Sequence, residues 1–203
     1  MRRAVLVVLS AAALVAAGCT TKSDGDATPT GSTSTTASDS TTTQPSEASD
    51  VPAITGPELD LSRFAGPCEL LQADQLSARG VTKPGTQRTD PAGPACQWRP
   101  DDRVDGTSFS VVILEKSKGL EGFYENRGSS GGVFEPTEVA GYPAVNSDAT
   151  DAKSGACSTA VGVAKGEGFM VQTHVNDETL PEYTNPCSIS GAVAETIVAN
   201  LKG

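Results

Sequence analysis

The chain is poor in the residues most enzymes rely on. One histidine in 203 residues excludes multi-histidine metal centres and makes imidazole-based catalysis an unpromising expectation. Basic side chains are scarce as well: 15 Lys and Arg stand against 25 Asp and Glu, a net charge of −10. That balance excludes a nucleic-acid binder working through a basic face. Long apolar stretches are absent too. No run reaches the roughly 20 residues that span a bilayer, which argues against a polytopic membrane protein. Aromatics are few, with one Trp, three Tyr and five Phe. No G-x-S-x-G, S-x-x-K or phosphate-binding loop occurs, and no C-x₂₋₄-C pair offers a thiolate zinc site. Catalytic, metal and cofactor residues are therefore all expected to be none.

The N-terminus carries an address. Arg2 and Arg3 precede an apolar stretch, residues 4–17, broken only by Ser10. It is too short for a membrane helix and the right length for a secretory leader. It ends Val15-Ala16-Ala17-Gly18-Cys19, which resembles the lipobox of bacterial lipoproteins. The resemblance implies cleavage after residue 18 and a diacylglycerol on the Cys19 thiol, with Ala16 where Leu is usual. Two acyl chains on one residue satisfy the two-signal requirement for stable anchoring. Removing Cys19 from five cysteines leaves an even four. Loss of Arg2 and Arg3 with the leader takes the charge to −12, so anionic headgroups would repel the domain. The expected location is the outer face of the cytoplasmic membrane.

Residues 19–57 read as a tether. Within Thr20–Asp50, 17 of 31 residues are Ser or Thr, and no aromatic occurs up to Pro57. Such a segment cannot bury enough apolar surface to offset its chain entropy, so disorder is expected. As a flexible coil it would span on the order of 30–40 Å. Residues 58–203 then form one domain with its own core.

Within that domain the pattern alternates. Gly66–Leu71 opens a helical segment ending before Gly80, and Ala95–Arg99 is a short strand. Ser108–Glu115 is apolar on both faces, as in a central strand. Lys118–Asn126 is a weak amphipathic helix, and Gly128–Gly132 a linker. Glu138–Asn146 suggests an edge strand, because Pro143 cannot donate to a central ladder. Cys157–Ala164 and Gly168–Val175 flank Lys165-Gly166-Glu167, a hairpin signal. Asn185-Pro186 reads as the N-cap and N1 of a last helix burying Ile189, Val193, Ile197 and Leu201. Hairpin-linked strands with helices at the ends argue an α+β fold on an antiparallel sheet.

Five markers carry a family resemblance: Gly66-Pro67-Cys68-x-Leu70-Leu71, Pro94-Ala95-Cys96-x-Trp98, Gly141-Tyr142-x-Ala144, Cys157 opening a long hairpin, and Pro186-Cys187 opening a terminal helix. With the lipobox and tether, they resemble the actinobacterial lipoproteins grouped as domain of unknown function 3558. The resemblance implies an exported, acylated lipoprotein and a helix-covered sheet like the PsbP-like sandwich. It implies no activity.

An exported chain meets oxidising conditions, so Cys68, Cys96, Cys157 and Cys187 are expected to form two disulfides. Three connectivities are open. Cys68–Cys96 with Cys157–Cys187 is preferred, since each would tie a helix start to a nearby strand. Trp98, on the same strand face as Cys96, is expected to pack beside that bridge rather than stack on a sugar. His174 shares a strand face with Gln172 and is expected to be solvated rather than catalytic with Ser158 or Asp177. Asp101-Asp102 after Pro100 is turn chemistry.

One strand face stands out. Ser158, Ala160, Gly162 and Ala164 are all small. They either receive a closely packed helix or floor a groove formed by Ala160, Gly162, Met170 and Gln172. The sequence therefore supports a lipid-anchored, monomeric binding or interaction module of the cell envelope. Its partner would be an envelope protein or a small ligand. The alternatives are an envelope hydrolase and a sensor or accessory subunit of a membrane protein.

Overall fold

Seven strands form one sheet in the order β1-β2-β3-β7-β6-β5-β4, each antiparallel to its neighbours. They are β1 Thr86–Asp90, β2 Gly93–Trp98, β3 Thr107–Ile113, β4 Val133–Val139, β5 Tyr142–Asp148, β6 Ala156–Ala164 and β7 Glu167–Val175. Among the described residues three α-helices accompany them: α1 Ala73–Ser77, α2 Glu121–Glu125 and α3 Cys187–Lys202. This computed structural model describes residues 50–101, 106–127, 132–148 and 153–203, all within a compact unit, Pro45–Gly203. The leader, Cys19, most of the tether, Asp102 and residues 128–131 of the Gly-rich linker lie outside the described residues.

Each face of the sheet buries its own cluster. On one, α3 lies across β6 and β7, while the segment from Leu59 to Val81 covers β2 and β3. Trp98 stacks on Phe109 there at 5.5 Å between ring centroids, and is 1% exposed. On the other face, the β3–β4 connection must cross β7, β6 and β5 to reach the far edge. It does so as α2, burying Leu120 and Tyr124 against Val112, Val145, Ala160 and Met170.

Both disulfides join the expected pairs. Cys68–Cys96 ties the 3₁₀ turn Pro67–Glu69 to β2, and Cys157–Cys187 ties β6 to the start of α3. Beside the second bridge, buried hydroxyls join helix to sheet. Ser190 Oγ lies 2.7 Å from Thr159 Oγ1, which donates to Asn146 Oδ1 at 2.8 Å. Across α3, Asn200 and Gln75 exchange amide hydrogen bonds of 2.9 Å, and Arg63 donates to the Leu201 carbonyl at 2.8 Å.

Several elements differ from the sequence expectation. β1 was not anticipated, because TQRTD has no apolar residue for the alternation rule to detect; it is an exposed edge strand. Glu138–Asn146 is not one strand. It holds the hairpin of β4 and β5, turning at Ala140 (φ 49°) and Gly141 (φ 91°), a left-handed pair that fits the twist of flanking strands. The edge strand is β4, carrying Pro136. The segment after Gly66 is a 3₁₀ turn followed by α1, which opens with a Gln72/Gln75 capping box. Pro186, not Asn185, caps α3, and Asn185 contributes its carbonyl to Ser188 instead. The buried face of α3 is Ser190, Val193, Ala194, Ile197, Val198 and Leu201, leaving Ile189 half-buried at its border.

Residues 50–57, expected as the end of the tether, lie against the domain. Val51 packs on the α2-side cluster, and Pro57 accepts a 2.6 Å hydrogen bond from the Tyr142 hydroxyl.

Candidate functional site

Strand register lays out the α2 side of the sheet row by row. One row runs Arg88, Ala95, Val112, Met170, Ala160, Val145 and Pro136 across all seven strands. The next runs Thr86, Gln97, Ser110, Gln172, Ser158, Ser147 and Phe134. The first row is mostly apolar and lies under α2; the second is mostly small and polar. α2 is a single turn, so it covers only part of the sheet beneath it.

Where the cover ends, a cavity of about 400 Å³ opens. Met170, Ser158 and Ser147 form its floor, and Phe123, Phe134 and Ser117 its walls. That size falls in the range of about 300–1,000 Å³ typical of small-molecule sites. Gly122 holds α2 close to the preceding turn, since a Cβ there would collide with the Ser117 carbonyl oxygen. Two hydroxyls on this side are buried and unpaired among the described residues: Ser117 Oγ and Tyr124 OH. Such groups are uncommon in folded proteins, because each loses water without a replacement. The Tyr124 ring, 9% exposed, meets Phe134 edge-on at 5.2 Å. Burial raises the Tyr124 pKa above the usual tyrosine range, with Arg127 lowering it and Asp50 raising it to a lesser extent.

The rim is charged. Arg127 pairs with Asp50 at 2.7 Å, so the segment arriving from the tether meets the domain at the cavity mouth. Asp148 lines the same rim. A larger opening of about 750 Å³ lies elsewhere, between Leu61–Pro67 and the ends of β1 and β3. Among the described residues, no unpaired buried polar side chain lines it.

The four groove residues separate. Ala160 is wholly buried, and a Cβ on Gly162 would lie 3.2 Å from that of Leu120, so these two receive the α2 connection. Met170 reaches the cavity floor. Gln172 sits in the polar row, accepting a 3.1 Å hydrogen bond from Ser110 Oγ. Sequence reading missed Ser117, Phe134 and Arg127. They stand in turns and at a strand start, where no periodicity marks a side chain's direction.

The remaining candidates do not assemble. His174 is exposed, opposite Ser108 and Ala156, whereas Ser158 lies opposite Gln172. The Asp177 carboxylate accepts from Thr179 N and Oγ1 at 2.8 and 2.7 Å, which lowers its pKa. Asp101 is likewise held below the usual carboxylate range, chiefly by the Thr82 hydroxyl at 2.7 Å. Among the described residues, no cluster of three His, Cys, Asp or Glu could hold a metal ion, and no helix is long and apolar enough to cross a membrane.

Comparison with protein families gives a match over most of the chain. The family described as "Protein of unknown function (DUF3558)" covers residues 14–200. The chain belongs to this family. No curated protein and no solved structure matches it. Membership in DUF3558 brings no activity with it, so the chemistry must be read from the site.

Proposed function

We propose that this DUF3558 protein is a lipid-anchored, extracytoplasmic module that binds a small ligand in the cavity beside α2. The observation that carries the binding half is that cavity itself, lined by Phe123, Phe134 and Met170, with a rim reached by the segment around Asp50. A non-enzymatic role agrees with the exposure of His174 and with the Asp177 carboxylate being taken up by Thr179. The anchoring half rests on Arg2, Arg3, the apolar residues 4–17 and Cys19. Two disulfides in one small domain agree with an oxidising compartment.

Membrane fractionation tests the anchor. The wild-type chain should sediment with membranes, and Cys19→Ala should appear in the soluble fraction, because diacylglycerol needs the thiol. A variant that stays with the membranes would remove the lipoprotein half of the proposal.

A further inference from the structure

The two edges of the sheet are built differently. β4 closes one side with Pro136 between Glu135 and Glu138, features that keep a further strand away. β1 closes the other with Thr86-Gln87-Arg88-Thr89-Asp90, a strand without proline in which four of five residues are exposed. Its pairing with β2 fixes which backbone groups face outward. Thr89 lies opposite Pro94, which has no N–H, so these two cannot exchange a pair of hydrogen bonds. The bonded pairs are then Arg88–Ala95 and Asp90–Gly93, and the N–H and C=O of Gln87 and Thr89 point away from the sheet. Among the described residues, nothing outside β2 meets them.

Side chains on this edge divide between the two faces. Gln87 and Thr89, on the face of Cys96, border the opening of about 750 Å³ beside Leu61–Pro67. Phe64 and Ile113, both half-buried, give that opening an accessible apolar lining, and the exposed Glu115 and Glu167 line it as well. Arg88 is exposed on the opposite face. Its guanidinium and that of Arg99 both donate to Gln97 Oε1, and among the described residues neither pairs with a carboxylate. Two like charges held on one oxygen repel, and a carboxylate beside Arg88 relieves that repulsion.

We propose that β1 is a docking edge for an extended, acidic segment of another protein, added antiparallel to it as an eighth strand. The segment's backbone exchanges hydrogen bonds with Gln87 and Thr89. Its side chain opposite Arg88 is a carboxylate, and the two flanking side chains are apolar and turn toward Phe64 and Ile113. Glu115 and Glu167 oppose an acidic side chain at those flanking positions. A second copy of β1 is a poorer occupant, because pairing Gln87 with Thr89 of the other copy sets Arg88 against Arg88. This edge shares no lining residue with the cavity beside α2, so either proposal can fail alone.

Fluorescein-labelled acetyl-Ser-Thr-Val-Glu-Val-Thr-Ser-amide, titrated by anisotropy with the full chain in nonionic detergent, tests this edge. The peptide should bind, and its Lys-for-Glu version should bind about three- to ten-fold more weakly, the difference between an attractive and a repulsive cross-strand pair. Arg88→Glu, at an exposed position, should reverse that order. Methylating both Val nitrogens should abolish binding, whereas methylating the Glu nitrogen, which faces away from β1, should leave it unchanged. Thr89→Pro removes one outward N–H and no bond to β2, and should also abolish binding; circular dichroism confirms that both variants are folded. No binding, or equal binding of the Glu and Lys peptides, overturns the partner's chemistry. Binding that survives methylation of the Val nitrogens overturns strand addition. Binding unaffected by either folded variant overturns the location, and a dimer that Thr89→Pro dissolves replaces the acidic segment with a second copy.

Discussion

Ser190 and Thr159 join α3 to the sheet and to Asn146 through hydroxyls that have no access to water, and their protons can be counted. Asn146 Oδ1 can only accept, so Thr159 must spend its single proton on it at 2.8 Å. The 2.7 Å contact to Ser190 is then donated by Ser190, whose other acceptor, the Cys187 carbonyl, lies at 3.2 Å. Order follows from this count: Ser190 to Thr159 to Asn146. Thr159→Val deletes two bonds at a fully buried position, yet Ser190 can turn to Cys187 and the half-buried Asn146 can take water. The expected loss is therefore about 1–2 kcal/mol rather than the larger penalty of an orphaned buried group. Ser190→Ala deletes one bond worth about 0.5–1.5 kcal/mol and recovers a few tenths through the better helix propensity of Ala. Because the Ser190–Thr159 bond is lost in both, the double variant should be about 0.5–1.5 kcal/mol more stable than the sum predicts. Urea unfolding of the oxidised protein, monitored by circular dichroism, measures all four corners of the cycle. Additivity within about 0.3 kcal/mol, or a Thr159→Val protein more stable than wild type, would refute the proton assignment.

Removing the Cys157–Cys187 bridge by paired Cys→Ala substitution should cost about 3.6 kcal/mol for its separation of 30 residues, read as a lower urea midpoint with a raised m, because the unlinked denatured chain exposes more surface. Tyr124→Phe should leave stability at pH 7 unchanged or raise it by up to about 1 kcal/mol, because it deletes an unpaired buried hydroxyl. The same substitution should blunt alkaline unfolding. A pKa raised by burial contributes stability that is complete below the unfolded tyrosine value of about 10 and is lost as pH rises toward the folded value. Titrating both proteins to unfolding above pH 9 checks this, and identical alkaline midpoints would count against it. His174→Ala should leave the melting temperature unchanged within error, given its exposure.

Legibility of this fold followed the strength of local signals. The β6–β7 hairpin could be read because its strands carry dense apolar alternation around Lys165-Gly166. The α+β class followed from the order of elements, and of the three open disulfide connectivities the preferred one is the one formed. β1 could not be read: an edge strand of TQRTD owes its shape to pairing with β2, and five exposed polar residues leave no trace of that partner. The β4–β5 hairpin was hidden for a related reason. Val133–Glu138 is largely exposed, and the turn relies on Ala140 in a left-handed conformation that a glycine or asparagine would normally announce.

The cavity was legible only as a question. A strand face of Ser158, Ala160, Gly162 and Ala164 must accept a close neighbour or stay open, and in this sheet it does each at a different height. Leu120 closes over Ala160 and Gly162, whereas Ser158 remains on the cavity floor. The division is set by the length of α2. A connection crossing three strands with only one helical turn runs out of side chains before it reaches the Ser158 row. That shortfall leaves open volume lined by Phe123, Phe134 and the Ser158 row. A longer helix would have filled the gap and satisfied the domain's stability more fully. The open volume is thus a property of topology and element length together, which no short motif in the chain could have carried.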